Sequence, residues 1–274
     1  MPTIYCFLFI TLTINFQCWS QREEVKSPYE VNKKVEIPLM LIGIGITGYG
    51  FYKIDQKSGA HASTIENLKL EEEVIKINRH FQPRYSEKAN KDSDVLFYAS
   101  FPIPFLVLFD DNIRRDAGRL SIMYLEALSL TGSMYSMSAA HVDKFRPLVY
   151  ADNAPMSEKT RGGAKNSFYG GHPSLTATST FFVAKVVSDY YPERTGLHVT
   201  LYSAAAISTL GNAYLRFIAG KHFLTDLMIG IPIGVLNGIL VPALHKVRHV
   251  NMDRKFSWNL FSGDAHGLTL RYKF

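Results

Sequence analysis

The sequence predicts an all-α protein, a bundle of about six apolar helices placed to cross a membrane. Three observations carry this. Apolar residues are bunched into segments near spanning length, charges gather between them, and several segments hold polar residues that a bundle turns inward. A soluble all-α domain with buried helices is the alternative that the same segments allow.

The chain opens on an apolar run, residues 1–20, which ends in Cys18-Trp19-Ser20 before polar Gln21-Arg22-Glu23-Glu24. It reads as a signal peptide or an N-terminal anchor: small residues at 18 and 20 suit cleavage, whereas a leading region without Lys or Arg suits an anchor. Residues 21–94 hold a first apolar helix at about 37–52. A charged stretch, 53–94, follows, where Ile65, Leu68, Leu70, Val74 and Ile77 have the spacing of amphipathic surface helices. Residues 95–245 carry five further apolar segments. These are about 95–109, with Pro102 and Pro104; 120–142, interrupted by Glu126; 174–191; 197–218; and 223–245, which Pro232 and Pro242 are expected to kink. A basic tail, 246–274, closes the chain, and its last residues, 267–274, alternate like a single strand.

A hydrophobic content of 47% argues against disorder. The net charge of +6 raises nucleic acid or an anionic membrane surface as partners, but lysines alternate with glutamates and no basic cluster is interleaved with aromatics, so nucleic acid is not expected. Both cysteines, Cys6 and Cys18, fall in the opening run, which leaves the rest of the chain without a disulfide or a thiolate metal site.

The chemistry centres on Arg216 to Asp226. If a helix begins near Gly220, His222 and Asp226 share a face, and a carboxylate there fixes the imidazole tautomer and stabilises the cation formed when the other nitrogen attacks an electrophile. Arg216 supplies a planar cation suited to phosphate oxygens. As an isolated pattern, the same residues read as a helix-start pair and an interfacial anchor.

Two other places gather such residues at segment ends: Lys144-Phe145-Arg146-Pro147, and Ser167 to Ser174, which contains Gly170-Gly171-His172. With successive segments antiparallel, all three meet on one face, and the amides of Gly170 and Gly171 at a helix start form an anion cradle.

On these residues the chain resembles the type 2 phosphatidic acid phosphatase (PAP2) superfamily, whose signature is K-x6-R-P, P-S-G-H and S-R-x5-H-x3-D. That family includes membrane lipid phosphatases, soluble acid phosphatases and vanadium haloperoxidases. The resemblance spans about residues 95–245. In the third motif Leu215 replaces the leading serine. In the second, Tyr169 and Gly170 replace proline and serine. In the first, Ala139 occupies the lysine position, for which Lys144 or Lys165 are the substitutes at hand.

The resemblance implies that His222 attacks phosphorus, that Asp226 orients it, and that His172 acts as general acid and base. It further implies that Arg146, Arg216, Gly171 and Lys144 bind the phosphate, with no cofactor and no metal. The chain carries no H-E-x-x-H and no cysteine cluster for a metal site.

The expected activity is hydrolysis of a lipid phosphate or polyprenyl diphosphate at a bacterial inner membrane, with the site facing the periplasm. The alternatives are a soluble periplasmic acid phosphatase of broad specificity and a catalytically weak membrane protein that binds phospholipid. One conflict stands. A cytoplasmic basic tail and six spans put residues 21–36 inside, whereas a cleaved signal puts them outside.

Overall fold

A computed structural model describes residues 27–247 and the backbone of two strands, β1 (Phe256–Ser262) and β2 (His266–Tyr272). The opening run 1–20 with both cysteines, and Arg248, Arg254 and Lys255 of the tail, lie outside the described residues.

Among the described residues, six long helices form the bundle: α1 (Lys33–Asp55), α2 (Glu87–Ser100), α3 (Ala117–His141), α4 (Gly171–Tyr190), α5 (Thr195–Ile218) and α6 (Leu224–His245). Helical short turns, Ala62–Glu66, Leu70–Glu73 and Lys76–Arg79, occupy the amphipathic stretch before α2. The boundary expected at residue 94 falls inside α2, which Ser86 caps by accepting from the amide of Ala89. Pro102 and Pro104 follow its end at Ser100, whereas Pro232 and Pro242 lie inside α6 without ending it. The C-terminal alternation is not a lone strand: β1 and β2 pair antiparallel, Phe256 opposite Tyr272.

Among the described residues, three helical stretches are long and apolar enough to cross a membrane: Lys33–Asp55, Glu87–Phe109 and Leu224–His245. The other three expected spans exist as helices but are not among these. In α4, for example, Thr176, Thr178, Ser179 and Thr180 are buried and α4 packs at the centre against α3, α5 and α6. On α1, Leu41 is 56% and Ile42 58% exposed, an apolar surface that suits contact with lipid.

Close backbone contact sets the helix register. On α6, Gly230, Gly234 and Gly238 face Gly170, just before α4, and Ser174 and Thr178 within it, and a Cβ on Gly234 would lie 1.9 Å from the Ser174 carbonyl oxygen. The two helices therefore run parallel, and their N-terminal ends are held together. Between them and α3, Asn237 donates to Thr131 (3.0 Å), whose hydroxyl meets that of Thr178 (2.9 Å), so these buried polar groups are satisfied.

At the other end of the bundle the amide of Glu30 donates to the carbonyl of His245 (2.9 Å), and that of Val247 to the carbonyl of Pro28 (2.8 Å). The entry to α1 and the exit from α6 thus lie side by side, as an even number of alternating helices requires.

Candidate active site

The loops that carry the charged motifs are tied to one another by their backbones. Lys144 N donates to the Lys165 carbonyl (2.9 Å), Arg146 N to that of Ala164 (2.8 Å), and Ser167 N to that of Lys144 (3.0 Å). This short pairing aligns the segment after α3 with the segment before α4, over a small core that contains Leu148, Val149 and Ala164. Gly220, at φ +70, ends α5 in the left-handed conformation, and a Cβ there would meet the Arg84 carbonyl oxygen at 1.9 Å. Its own carbonyl accepts from Leu148 N (3.0 Å), which fixes the turn bearing Lys221 and His222 against the Arg146 loop.

The expected pairing of Asp226 with His222 is not the one formed. Helix α6 starts at Leu224, not near Gly220, so His222 precedes the helix and the i, i+4 geometry does not apply. Asp226, fully buried, instead accepts from Lys144 Nζ (2.6 Å), Ser167 Oγ (2.6 Å) and Phe223 N (3.0 Å). It joins all three motif loops. His222 Nδ1 lies 2.7 Å from the carbonyl oxygen of Ser167, and because a carbonyl only accepts, Nδ1 carries the proton and Nε2 the lone pair. Asp226 reaches His222 at one remove, through Ser167.

His172, in the first turn of α4 beside Gly171, has its Nε2 3.1 Å from Asp94 Oδ1 and stacks on Phe97 with ring centroids 4.1 Å apart. Arg216, at the end of α5, donates through one terminal nitrogen toward Asn90 (2.8 Å) and Ser93 (3.3 Å), and that nitrogen lies 3.4 Å from the same Asp94 oxygen. Its Nε is buried with no hydrogen-bond partner among the described residues. Arg146 is buried, and its Nε donates to the Asn166 carbonyl (3.2 Å).

The structure brings His172, His222, Arg146 and Arg216 into one cluster, with Gly171 next to His172 in the chain, and pairs Lys144 with Asp226. The Lys144 ammonium pairs with Asp226 and sits over the Phe223 ring, 5.2 Å from its centroid. Lys221 is the nearer substitute for the cation missing at Ala139. It is 4% exposed, 3.5 Å from Glu158, and close enough to Arg146, Arg161 and Arg216 to feel their charges.

Burial, with Arg146 and Arg161 next, pushes the Lys221 ammonium down to about 8. Burial and the guanidinium groups of Arg216 and Arg146 hold His172 and His222 well below the usual histidine range, and burial lowers Arg146 itself. Concentrated, desolvated positive charge beside two neutral imidazoles is an environment suited to an anion.

A cavity of about 360 Å³ opens beside this cluster, lined by Asn90, Glu158, Arg161 and Lys221 among others. Sequence reasoning missed Asp94, Lys221, Arg161 and Glu158. Lys221 had a signal, its place next to His222. The other three had none, because only the packing of α2 and of the loop 143–167 brings them here.

Residues 121–249 match the PAP2 superfamily. No curated protein and no solved structure matches the chain. The matched region contains all three motif loops and stops short of α2, which contributes Asp94.

Proposed function

Because the chain belongs to the PAP2 superfamily through residues 121–249, and so to a family of phosphatase-type hydrolases, we propose that it removes a terminal phosphate from a lipid phosphate or polyprenyl diphosphate. The observation that carries the reading is the convergence of Arg146, Arg216, Lys221, His172 and His222 on one buried cluster beside an open cavity. In this reading His222 Nε2 attacks phosphorus in line, the P–N bond forming as the bond to the leaving oxygen breaks. The arginines, Lys221 and the amide of Gly171 take up charge on the equatorial oxygens.

His172 supplies the proton to the leaving oxygen. Its Nε2–H is held by Asp94, which leaves Nδ1 to exchange protons. The cations that suppress its protonation are neutralised by the substrate's own anionic charge, so binding raises its affinity for a proton when one is needed. In the second half of the cycle His172 takes a proton from water, the oxygen attacks phosphorus, and orthophosphate departs as the P–N bond breaks. These steps route nothing through a metal ion.

A lipid substrate fits the exposed apolar faces of α1 and α6, where Leu236 is 61% exposed and which would place the cavity at a bilayer surface. The soluble broad-specificity reading has no such use for them. A silent lipid-binding protein is the reading that Ala139 raises, and the buried ammonium of Lys221 weakens it.

On orientation, residues 28–30 and 245–247 share one end of the bundle and the motif loops lie at the other. If the bundle spans the membrane, a site facing a bacterial periplasm goes with residues 1–20 as an uncleaved anchor, and cleavage would place the site on the opposite side; a soluble periplasmic domain carries no such constraint. Phosphate release from phosphatidic acid and undecaprenyl diphosphate in the presence of chelator tests the activity. A His222→Ala variant that keeps the wild-type rate would sink the mechanism.

A further inference from the structure

Three ionisable side chains from three helices meet at the end of the bundle opposite the motif loops. Glu36 lies in the first turn of α1, Glu126 in α3, and His245 at the last residue of α6. His245 is nineteen residues beyond Asp226 on α6, about 28 Å at the helical rise of 1.5 Å per residue, so this cluster is separate from the phosphate cluster.

The imidazole is set up as a ligand. His245 Nδ1 lies 2.8 Å from the Val241 carbonyl and must donate to it, which leaves the Nε2 lone pair aimed at the two carboxylates. The His245 side chain is 7% exposed, and both its Nε2 and Glu126 Oε2 are buried without a hydrogen-bond partner among the described residues.

The separations match a metal site better than a hydrogen-bonded one. Nε2 is 3.5 Å from Glu36 Oε1 and 3.5 Å from Glu126 Oε2, and the three atoms lie within 4.8 Å of one another. Hydrogen bonds of this type prefer about 2.7–3.2 Å. Ligand atoms held about 2.1 Å from a tetrahedral centre stand about 3.4 Å apart. Two carboxylates also bring two negative charges that a single imidazolium does not cancel and a divalent cation does. The basic side chains lining the same cavity are engaged elsewhere, Arg119 with Asp116 and Lys246 with Asp189.

We propose that Glu36, Glu126 and His245 bind a divalent transition-metal ion of the zinc type, which ties the start of α1, the body of α3 and the end of α6 together. An imidazole nitrogen selects zinc-like ions over Ca²⁺ and Mg²⁺. The remaining coordination position faces a cavity of about 920 Å³, where water completes the shell. No ligand spacing in the sequence announces the site, because each residue comes from a different helix.

The test uses the full chain in detergent, purified without a polyhistidine tag, stripped with chelator and titrated with Zn²⁺ and with Co²⁺. Wild type is expected to retain one equivalent of zinc per chain through gel filtration, to give the visible absorption of four-coordinate Co²⁺, and to unfold at a higher temperature with Zn²⁺ present. Glu126→Gln and His245→Gln are expected to weaken binding at least tenfold and to lose the thermal shift. Phosphate release in chelator should persist in Glu126→Gln, which separates this site from the phosphate cluster.

Substoichiometric zinc in wild type overturns the proposal whatever the variants do. So does unchanged affinity in both variants, which would put the metal elsewhere. If either variant fails to fold, Glu36→Gln, near the start of α1, supplies the same comparison.

Discussion

Lys144 Nζ lies 2.6 Å from Asp226 Oδ1, joining the loop after α3 to the first turn of α6. The carboxylate is fully buried and the lysine side chain 30% exposed, so the pair closes the motif face by tying two of its loops together. Removing the lysine leaves a buried carboxylate uncompensated. Breaking a buried pair costs roughly 3–5 kcal/mol, and the partial exposure of Lys144 brings the expectation down to about 1–3 kcal/mol. Lys144→Met should therefore lower the unfolding midpoint in denaturant, while leaving affinity for inorganic phosphate within a few-fold of wild type.

Lys221 should behave in the opposite way. Loss of one charge-assisted contact to an anion costs about 1.5–3 kcal/mol, so Lys221→Met should weaken phosphate or vanadate binding about tenfold to a hundredfold. Its folded pKa of about 8 lies below the unfolded value of 10.5. Between those values the unfolded chain binds the additional proton, so this residue's contribution makes stability rise with pH across that window. Anion affinity should fall as pH passes about 8. Lys221→Arg, which keeps its charge, should remove that fall, as calorimetric titration from pH 7 to 9 can measure.

Both imidazoles are held well below the usual histidine range by burial and by Arg216 and Arg146. With His172 required protonated and His222 required neutral, kcat/KM should rise as pH drops through 6.5 and decline only at more acid values, where His222 takes up a proton. Stability follows the same groups: below about 6.5 the unfolded histidines take up protons that the folded ones refuse, and the fold weakens as pH falls. Asp94→Asn, which removes the carboxylate partner of His172, should lower kcat more than it raises KM, by about tenfold to a hundredfold, if the ring is a general acid.

The parallel contact of α4 with α6 holds His172 and the His222 turn in one place. A side chain at Gly234 would collide with the Ser174 carbonyl, so Gly234→Leu should cost at least about 1–3 kcal/mol and reduce activity with it. Gly45 of α1, where a Cβ meets nothing within 4 Å, provides the control: Gly45→Ala should leave stability and turnover near wild type.

The helices were legible because their apolar runs are long and bounded by charge, and the alternation of direction followed from counting them. That count alone puts Arg146, His172, Arg216 and His222 at one end. The hydrogen bonds within the site were not legible. The spacing of His222 and Asp226 implied a shared helical face, but the helix begins two residues after His222, and a serine carbonyl takes the place given to the carboxylate. Motif position offers Lys144 or Lys165 for the lysine missing at Ala139, whereas burial beside the arginines points to Lys221. Asp94, from a charged stretch with no motif of its own, could be found only by packing α2 against α5.

The most direct measurement of the central claim is rapid quenching of the enzyme during turnover of a ³²P-labelled lipid phosphate, followed by peptide mapping. A transient phosphoryl adduct, stable in base and labile in acid, is expected on His222 and absent from His222→Ala. Steady phosphate release from the variant, or a wild-type adduct on any other residue, would contradict it.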